Sequence, residues 1–419
     1  MSVTVTRLDN GLTVATDRID AVETAALGVW VGTGARAETA QTNGVAHLLE
    51  HMAFKGTERR SAADIAGEIE AVGGHLNAYT SREVTAYYAR VLKEDSALAL
   101  DILADILLNS TFEPTELDRE RDVILQEIGQ ANDTPEDVAS DAFQLAAYPD
   151  QPAGRPILGS PEIIRTIGRD AVVDYMAARY RPQAMVVSAA GAVDHDRFVA
   201  QAEKLFGGLA PGAAPAIEAA EYRGGEQRIV KDSEQAHLFF GLPAPAFGDD
   251  DYYAAHVFSA LYGGGMSSRL FQEIREKRGL CYSVYSFMSA LTDSGMLGVY
   301  AGADAARTGE TLQLAVQELK SVAAGAGEDE TARAKAQLRA SLLMSRESTA
   351  MRAEQLAQQI LIHGRPLATD EIRAKVDAVD AAAVSAVARK ALAGAPTLAL
   401  VGPEAGAPDL AALKAALAA

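Results

Sequence analysis

The run His47-Leu48-Leu49-Glu50-His51 sets two imidazoles and a carboxylate within five residues. On a helix, positions i, i+3 and i+4 share a face. His47 and His51 can then turn nitrogens toward one ion, with Glu50 beside its open coordination position. Two imidazoles are too few for a stable zinc site, so a third protein ligand is required, with water as the fourth. Zinc acidifies that water, and Glu50 is placed to take the proton and later return it to a leaving amine. These residue types at this spacing point to hydrolysis of an amide bond.

The third ligand must come from another element. Pro114 suits the first turn of a helix, and the stretch 114–131 (PTELDRERDVILQEIGQA) carries Glu116, Glu120 and Glu127. Glu120 and Glu127 are seven apart and share a face two turns apart. Val123 and Ile124 lie on or near that face, which predicts partial burial, and a carboxylate in such surroundings needs a partner or a metal. Spacing alone leaves Glu120 and Glu127 equal as candidates.

The same residues carry a resemblance. H-x-x-E-H reverses the thermolysin order, and NGVAHLLEHMAFKGTERRS (43–61) resembles the M16 metallopeptidases, the pitrilysin or inverzincin family. Within that family the chain is most similar to bacterial relatives of the β subunit of mitochondrial processing peptidase. The resemblance implies one Zn2+ per chain, bound by His47, His51 and a glutamate about 76 residues past the motif, which is Glu127. It implies that Glu50 is catalytic and that Glu120 supports the site through its hydrogen bonds.

It also assigns roles elsewhere. GGHLNAYT (73–80) is similar to an edge strand that pairs with the substrate backbone, a mode that reads extended peptides with little side-chain demand. Asn77 and Ala78 would make that contact, while His75 falls outside the motif and reads as a non-ligand. In LYGGGMSSRLFQEIREKRGLCYSVYS (261–286), Arg275 and Tyr282 match an Arg and a Tyr that the family brings to its zinc site. Arg275 would hold a substrate carbonyl and Tyr282 would donate to the forming oxyanion. Without the resemblance, Arg275 reads as a helix salt-bridge residue and Tyr282 as a core tyrosine. Short members of the family enclose their substrate by pairing two chains. That implies a homodimer acting as an endopeptidase on short or unfolded peptides inside a chamber, with a preference for sites near basic residues.

The elements that must hold these groups follow from the pattern. Residues 3–9 and 12–16 alternate around Asn10-Gly11, a hairpin signal, and 25–33 reads as a strand buried on both faces. Helices are expected at about 44–54 and 61–71, the second stopping at Gly73-Gly74. Two strands follow, HLNAYTS and EVTAYYARVL, then helices at 95–110, 114–131, 135–147 and 170–179. A strand at 184–190 and a helix at 194–206 close this half. Gly263-Gly264-Gly265 lacks the strand–GK[ST] context of a phosphate loop and reads as a flexible turn before a helix at 267–278. Cys281 reads as a small buried hydrophobe.

Residues 211–220 lie in a Gly-, Ala- and Pro-rich stretch that reads as a linker. It divides an N-terminal catalytic zinc-binding domain (1–210) from a C-terminal domain (221–419) that completes the chamber. The second half repeats the first, since 236–249 (AHLFFGLPAPAFGD) parallels 25–38 (AALGVWVGTGARAE). Aligning His47 with His256 sets HLLEH against HVFSA, so the second copy is degenerate and His256 reads as structural. The expected fold class is α+β: two homologous halves, each a mostly antiparallel sheet with helices on one side.

The 419 residues carry a net charge of −19, which argues against nucleic acid as the main partner. That acidity would suit a chamber wall attracting basic peptides. A single cysteine excludes a disulfide framework. The N-terminus does not read as a signal peptide, and no apolar run of about 18 residues is present, so the expected location is the cytoplasm. Two other readings are a non-catalytic subunit of a larger complex, which predicts a broken metal motif, and another zinc hydrolase such as an exopeptidase. The latter needs a pocket for a terminal carboxylate, and no motif indicates one.

Overall fold

Apolar strands in the first half assemble into a six-stranded sheet: β1 (Val3–Arg7), β2 (Thr13–Arg18), β3 (Thr24–Val31), β4 (His75–Thr80), β5 (Thr85–Leu92) and β6 (Met185–Gly191). The computed structural model describes residues 3–403 and 409–418. The strand order is β1-β2-β6-β3-β5-β4. β2 and β6 run parallel and the remaining pairs antiparallel. β3 and β6, the most apolar strands, sit inside the sheet and are almost wholly buried. β4 is polar in part and lies at an edge, paired on one side only.

The hairpin expected at Asn10-Gly11 forms with a longer connection than a two-residue turn. β1 ends at Arg7 and β2 starts at Thr13, because Leu8 and Leu12 both enter the core. The Asn10 side chain accepts from the Leu12 N–H at 3.1 Å and donates to the Phe206 carbonyl at 2.9 Å, and Gly11 supplies the positive φ.

One face of this sheet packs on α1 (Val45–Ala53), α2 (Ser96–Leu108) and the helices Arg169–Arg179 and His195–Phe206 through Leu48, Leu49, Met52, Leu100, Leu103 and their neighbours. α3 (Pro114–Asp133) joins the same core through Leu117, Ile124 and Ile128. The chain then enters α4 (Pro135–Ala147), which belongs to the other compact unit.

That second unit holds a five-stranded sheet: β7 (Gly225–Val230), β8 (Ala236–Pro243), β9 (Cys281–Ala290), β10 (Gly295–Ala303) and β11 (Thr397–Gly402). Its order, β7-β11-β8-β10-β9, is that of the first sheet without β1, and β7–β11 is again the parallel pair. The duplication read from the sequence is therefore present in the topology. Helices Tyr252–Gly263, Thr308–Ala324 and Ala381–Leu392 cover one face of this sheet.

Helices on a single side of each sheet were expected, and both faces prove to be covered. The units exchange a helix. The first comprises residues 1–128, 155–218 and 343–367, and the second 129–154, 219–342 and 368–419. α4, from the first half of the sequence, packs Phe143 and Ala147 against Phe239, Tyr300 and Val401 of the second sheet. α5 (Thr349–His363), from the second half, packs Ala353, Leu356, Ala357 and Ile360 against Ala26, Trp30, Val186 and Ala190 of the first. The two exchanged helices are held alike. Tyr79 of β4 donates to Glu354 of α5 at 2.9 Å, and Tyr285 of β9 donates to Glu136 of α4 at 3.0 Å. No described helix is long and apolar enough to cross a membrane.

α5 has a further anchor. Asp17, 1% exposed on β2, accepts from Arg352 Nε at 2.7 Å and Nη2 at 2.6 Å, and from Arg346 at 3.3 Å. Removing Arg352 takes away the two shorter contacts and leaves this buried charge with less compensation. Arg352→Met is expected to destabilise the first unit by about 3 kcal/mol, and Asp17→Ala/Arg352→Met by less than the sum of the singles. Trp30 is the only tryptophan in the chain and packs on α5, so its fluorescence during urea denaturation reads this directly.

Candidate metal centre

α1 is short and strongly two-faced. Val45, Ala46, Leu48, Leu49, Met52 and Ala53 are buried, which leaves His47, Glu50 and His51 on the remaining face. The helix N-terminus is built to fit. Gly44, at φ 99°, is where the chain turns into the helix, and a Cβ there would meet Ile164 Cδ1 at 2.6 Å and the Leu158 carbonyl at 2.9 Å. A glycine has no side chain with which to cap the first N–H groups. Glu38 does so from a distance: its carboxylate accepts from the N–H groups of Gly44 and Ala46 and from Asn43 Nδ2, each at 2.8 Å.

α3 brings the third donor. Its buried face runs Leu117, Glu120, Ile124, Ile128, so Glu120 sits within an apolar stripe. Glu127 lies beside Ile128 and is about one-third exposed. Val123, expected near the buried face, is exposed, while Ile124 is fully buried.

His47 Nε2 and His51 Nε2 each lie 3.7 Å from Glu127 Oε2. The two rings are 4.6 Å apart and nearly edge to face. Among the described residues this is the one group of three histidines, cysteines or acids whose ligand atoms converge to this degree. A separation of 3.7 Å is too long for a hydrogen bond, yet three donors point at one place. Zinc bonds of ~2.0–2.2 Å put tetrahedral donors ~3.3 Å apart, so the cluster needs only a small contraction to hold the ion. The His47 ring is also kept neutral, as a ligand must be: burial, with the adjacent His51, pulls it down to about 4. The residues present therefore fit a single zinc ion per chain.

The flanking groups are equally specific. His51 Nδ1 donates to Glu120 Oε2 at 3.0 Å, which leaves Nε2 as the free lone pair. Glu120, 4% exposed, also accepts from Lys55 Nζ at 2.7 Å. Glu50 Oε2 accepts from Thr80 Oγ1 at 2.6 Å. Burial raises the Glu50 carboxyl, and the Thr80 hydrogen bond and His51 oppose that rise. A raised carboxyl is a stronger base than an ordinary glutamate, as proton abstraction from water requires.

His47, His51, Glu50, Glu120 and Glu127 are thus assembled in one place, with Thr80 linking them to the edge strand. Asn77 is exposed on β4, and its own Oδ1 accepts from the Ala78 N–H at 2.8 Å. His75 is exposed at the start of β4. In the second unit, Arg275 and Tyr282 form a stacked pair, the guanidinium 4.7 Å from the Tyr282 ring and 4.7 Å from Phe271. Tyr282 is 74% exposed, so it is no core residue. The helix expected over 267–278 is mostly a π-helical turn, Phe271–Glu276, and Arg275 lies within it. Cys281 is buried and its thiol is pushed up to about 11. His256 meets Tyr252 edge to face, and its buried Nε2 has no hydrogen-bond partner among the described residues.

Sequence reasoning did not single out Lys55, Thr80 or Glu38. Lys55 and Thr80 lie in stretches quoted for other reasons, four residues past His51 and two past Ala78. Their chemistry depends on contacts across 65 and 30 residues. Nothing local marks Glu38.

Two repeated α+β lobes, one of them carrying H-x-x-E-H on a helix with a glutamate from a second helix, define a zinc metallopeptidase. The profile of the insulinase family, peptidase family M16, matches residues 13–161, and that of the peptidase M16 inactive domain matches residues 166–338. The chain belongs to peptidase family M16. It is 40% identical to an uncharacterised zinc protease of Streptomyces coelicolor over 95% of this chain and 89% of that one. It is 39% identical to an uncharacterised zinc protease of Bacillus subtilis over 96% and 98%. A crystal structure of a protease from Helicobacter pylori has the same fold, with a TM-score of 0.90 at 22% identity over 96% of this chain and 99% of that one.

The Glu38 cap makes a prediction. Burial raises its carboxyl to about 7, against the pull of Asn43 and the two N–H groups. A carboxyl raised in the folded state contributes stability that is complete below about 4.5 and lost as pH rises through about 7. The expected loss is about 3 kcal/mol. The urea midpoint of the wild type should therefore fall between pH 5 and pH 8 more steeply than that of Glu38→Gln. Parallel pH profiles for the two proteins would contradict this account.

Proposed function

We propose that the protein is a zinc endopeptidase that cuts short or unfolded peptides while they lie as an added strand along β4. The observation that carries this reading is the Thr80–Glu50 hydrogen bond, which ties the free sheet edge to the one carboxylate on the face of α1 that also bears His47 and His51. Zinc, when held by His47, His51 and Glu127, supplies Lewis-acid polarisation of the scissile carbonyl and of water.

The chain's own groups do the rest. Peptide backbone pairs with β4 near Asn77 and Ala78, where the Asn77 carboxamide must release the Ala78 N–H before a substrate carbonyl can take it. Glu50 accepts the proton of the attacking water at its carboxylate and delivers it to the leaving nitrogen. Thr80 keeps Glu50 in the rotamer that faces the bond. Glu120 holds the His51 ring in one tautomer. Arg275 and Tyr282 take the substrate carbonyl and the oxyanion: the phenol is exposed, and the guanidinium stacked on it restrains its rotamer.

The C-terminal domain, 221–419, completes a chamber with the N-terminal one, and two copies of the chain pair to close it, in the cytoplasm. The chamber limits substrates to chains without stable tertiary structure. The net charge of −19 favours peptides that present basic residues near the cut.

Glu50→Gln is expected to bind zinc as the wild type does and to lose about 10²- to 10⁴-fold in kcat on a quenched internal peptide. Chelation should abolish wild-type turnover, and zinc should restore it. Mass spectrometry of the products separates this reading from an exopeptidase, since internal fragments are expected and single-residue release would contradict it.

A further inference from the structure

Two imidazoles face the metal position, and they are supported unequally. His51 Nδ1 has a partner in Glu120, whereas His47 Nδ1 is buried with no hydrogen-bond partner among the described residues. The side-chain hydrogen bonding that orients the imidazole pair therefore runs through the one carboxylate of Glu120. That carboxylate is 4% exposed, and its two oxygens are divided: Oε2 accepts from His51 and Oε1 from Lys55 Nζ at 2.7 Å. With Oε1 held by an ammonium group, rotation of the carboxylate is restrained and Oε2 stays toward the imidazole N–H.

Lys55 is itself held in place. Its N–H donates to the Met52 carbonyl at 3.2 Å and so continues the end of α1. Gly56 follows with a φ of 123°, a conformation that favours glycine. The Thr57 N–H then closes a turn on the Arg60 carbonyl at 2.8 Å. Asp105 of α2, 1% exposed, grips that turn from below: it accepts from Thr57 Oγ1 at 2.8 Å, Arg60 Nη1 at 2.9 Å, Arg59 Nε at 3.0 Å and Asn109 Nδ2 at 2.8 Å. The lysine backbone is thereby fixed to the helix beneath it.

We infer that Lys55 is a positioning residue for the metal centre, which sets zinc affinity by fixing Glu120 against His51. A long lysine side chain reaching one buried carboxylate from a clamped turn is a costly way to make a surface ion pair. It is an economical way to fix the orientation of a carboxylate that must point a ring nitrogen at an ion. Outer partners of this kind typically change metal affinity by about 10- to 100-fold.

The test is a zinc titration against a competing chelator of known affinity, on the full chain. Lys55→Met is expected to weaken zinc binding about 10- to 100-fold, and Lys55→Arg, which keeps the charge and the donors, to recover most of that loss. Glu120→Gln should weaken binding comparably. Lys55→Met/Glu120→Gln should be no weaker than the worse single variant, because both act on one hydrogen bond to His51. Metal-free Lys55→Met is expected to be less stable than metal-free wild type, because Glu120, 4% exposed, loses one of its partners, while Lys55→Met/Glu120→Gln, which removes the uncompensated charge, should regain part of that stability and still bind zinc weakly. Three results would overturn the inference: wild-type zinc affinity in Lys55→Met, losses that multiply in the double variant, or zinc affinity in the double variant that recovers in step with its stability and so marks the lysine as a folding residue.

Discussion

The metal centre depends on one constraint of packing: α3 must cross α1 so that a carboxylate reaches two imidazoles spaced one helical turn apart. Neither helix contains a site alone. α1 supplies two nitrogens too few in number to hold an ion. α3 supplies an oxygen that by itself would be an ordinary, partly exposed glutamate. The apolar stripe of α3 settles the matter. Leu117, Ile124 and Ile128 enter the core shared with Leu48, Leu49 and Met52 of α1. Burying those residues rotates Glu120 inward and leaves Glu127 at the margin, 3.7 Å from each ring. The metal geometry is thus a consequence of hydrophobic packing, and the ligands occupy the positions that packing leaves over.

Burial also tunes the chemistry. One desolvated surrounding acts in opposite senses on groups of opposite charge type. It lowers His47, so the imidazole is neutral and able to ligate, and it raises Glu50, so the carboxylate is the more basic group. Direct partners then refine each group. Thr80 steadies Glu50, and Glu120 fixes which nitrogen of His51 carries the hydrogen. The edge strand enters through Thr80, so the surface suited to a peptide and the group suited to proton transfer are joined by one hydrogen bond of 2.6 Å.

Much of the fold was legible before the structure. The strand at 25–33, the helices at 114–131 and 135–147, and the duplicated element order all rest on periodicity, which survives in the sequence because each element must bury a face. The H-x-x-E-H cluster was legible because its spacing is local. The choice between Glu120 and Glu127 was not legible from spacing, since residues seven apart share a face; the resemblance pointed to Glu127, and the distances agree. The length of the first hairpin was hidden because Leu8 and Leu12 are drawn into the core. Lys55, Thr80 and Glu38 were missed for one reason: each acts on a partner that folding alone brings near.

The exchanged helices were the least legible feature. A division by composition at 211–220 carries no information about α4 and α5, because an exchanged helix has the same amphipathic pattern as a retained one. Their signature is in the contacts. Both bury small residues against the second face of a sheet, Ala353 and Ala357 in one case and Ala139 and Ala147 in the other. Both present a glutamate to an edge-strand tyrosine. What distinguishes the copies now is elsewhere. The first carries His47, Glu50 and His51 on the helix that the second fills with His256, Ser259 and Ala260, and it adds a buried Asp17 that holds its borrowed helix through Arg352. The catalytic and the degenerate copy thus share a common scaffold, and the metal ligands of the first have no full counterpart on the matching helix face of the second.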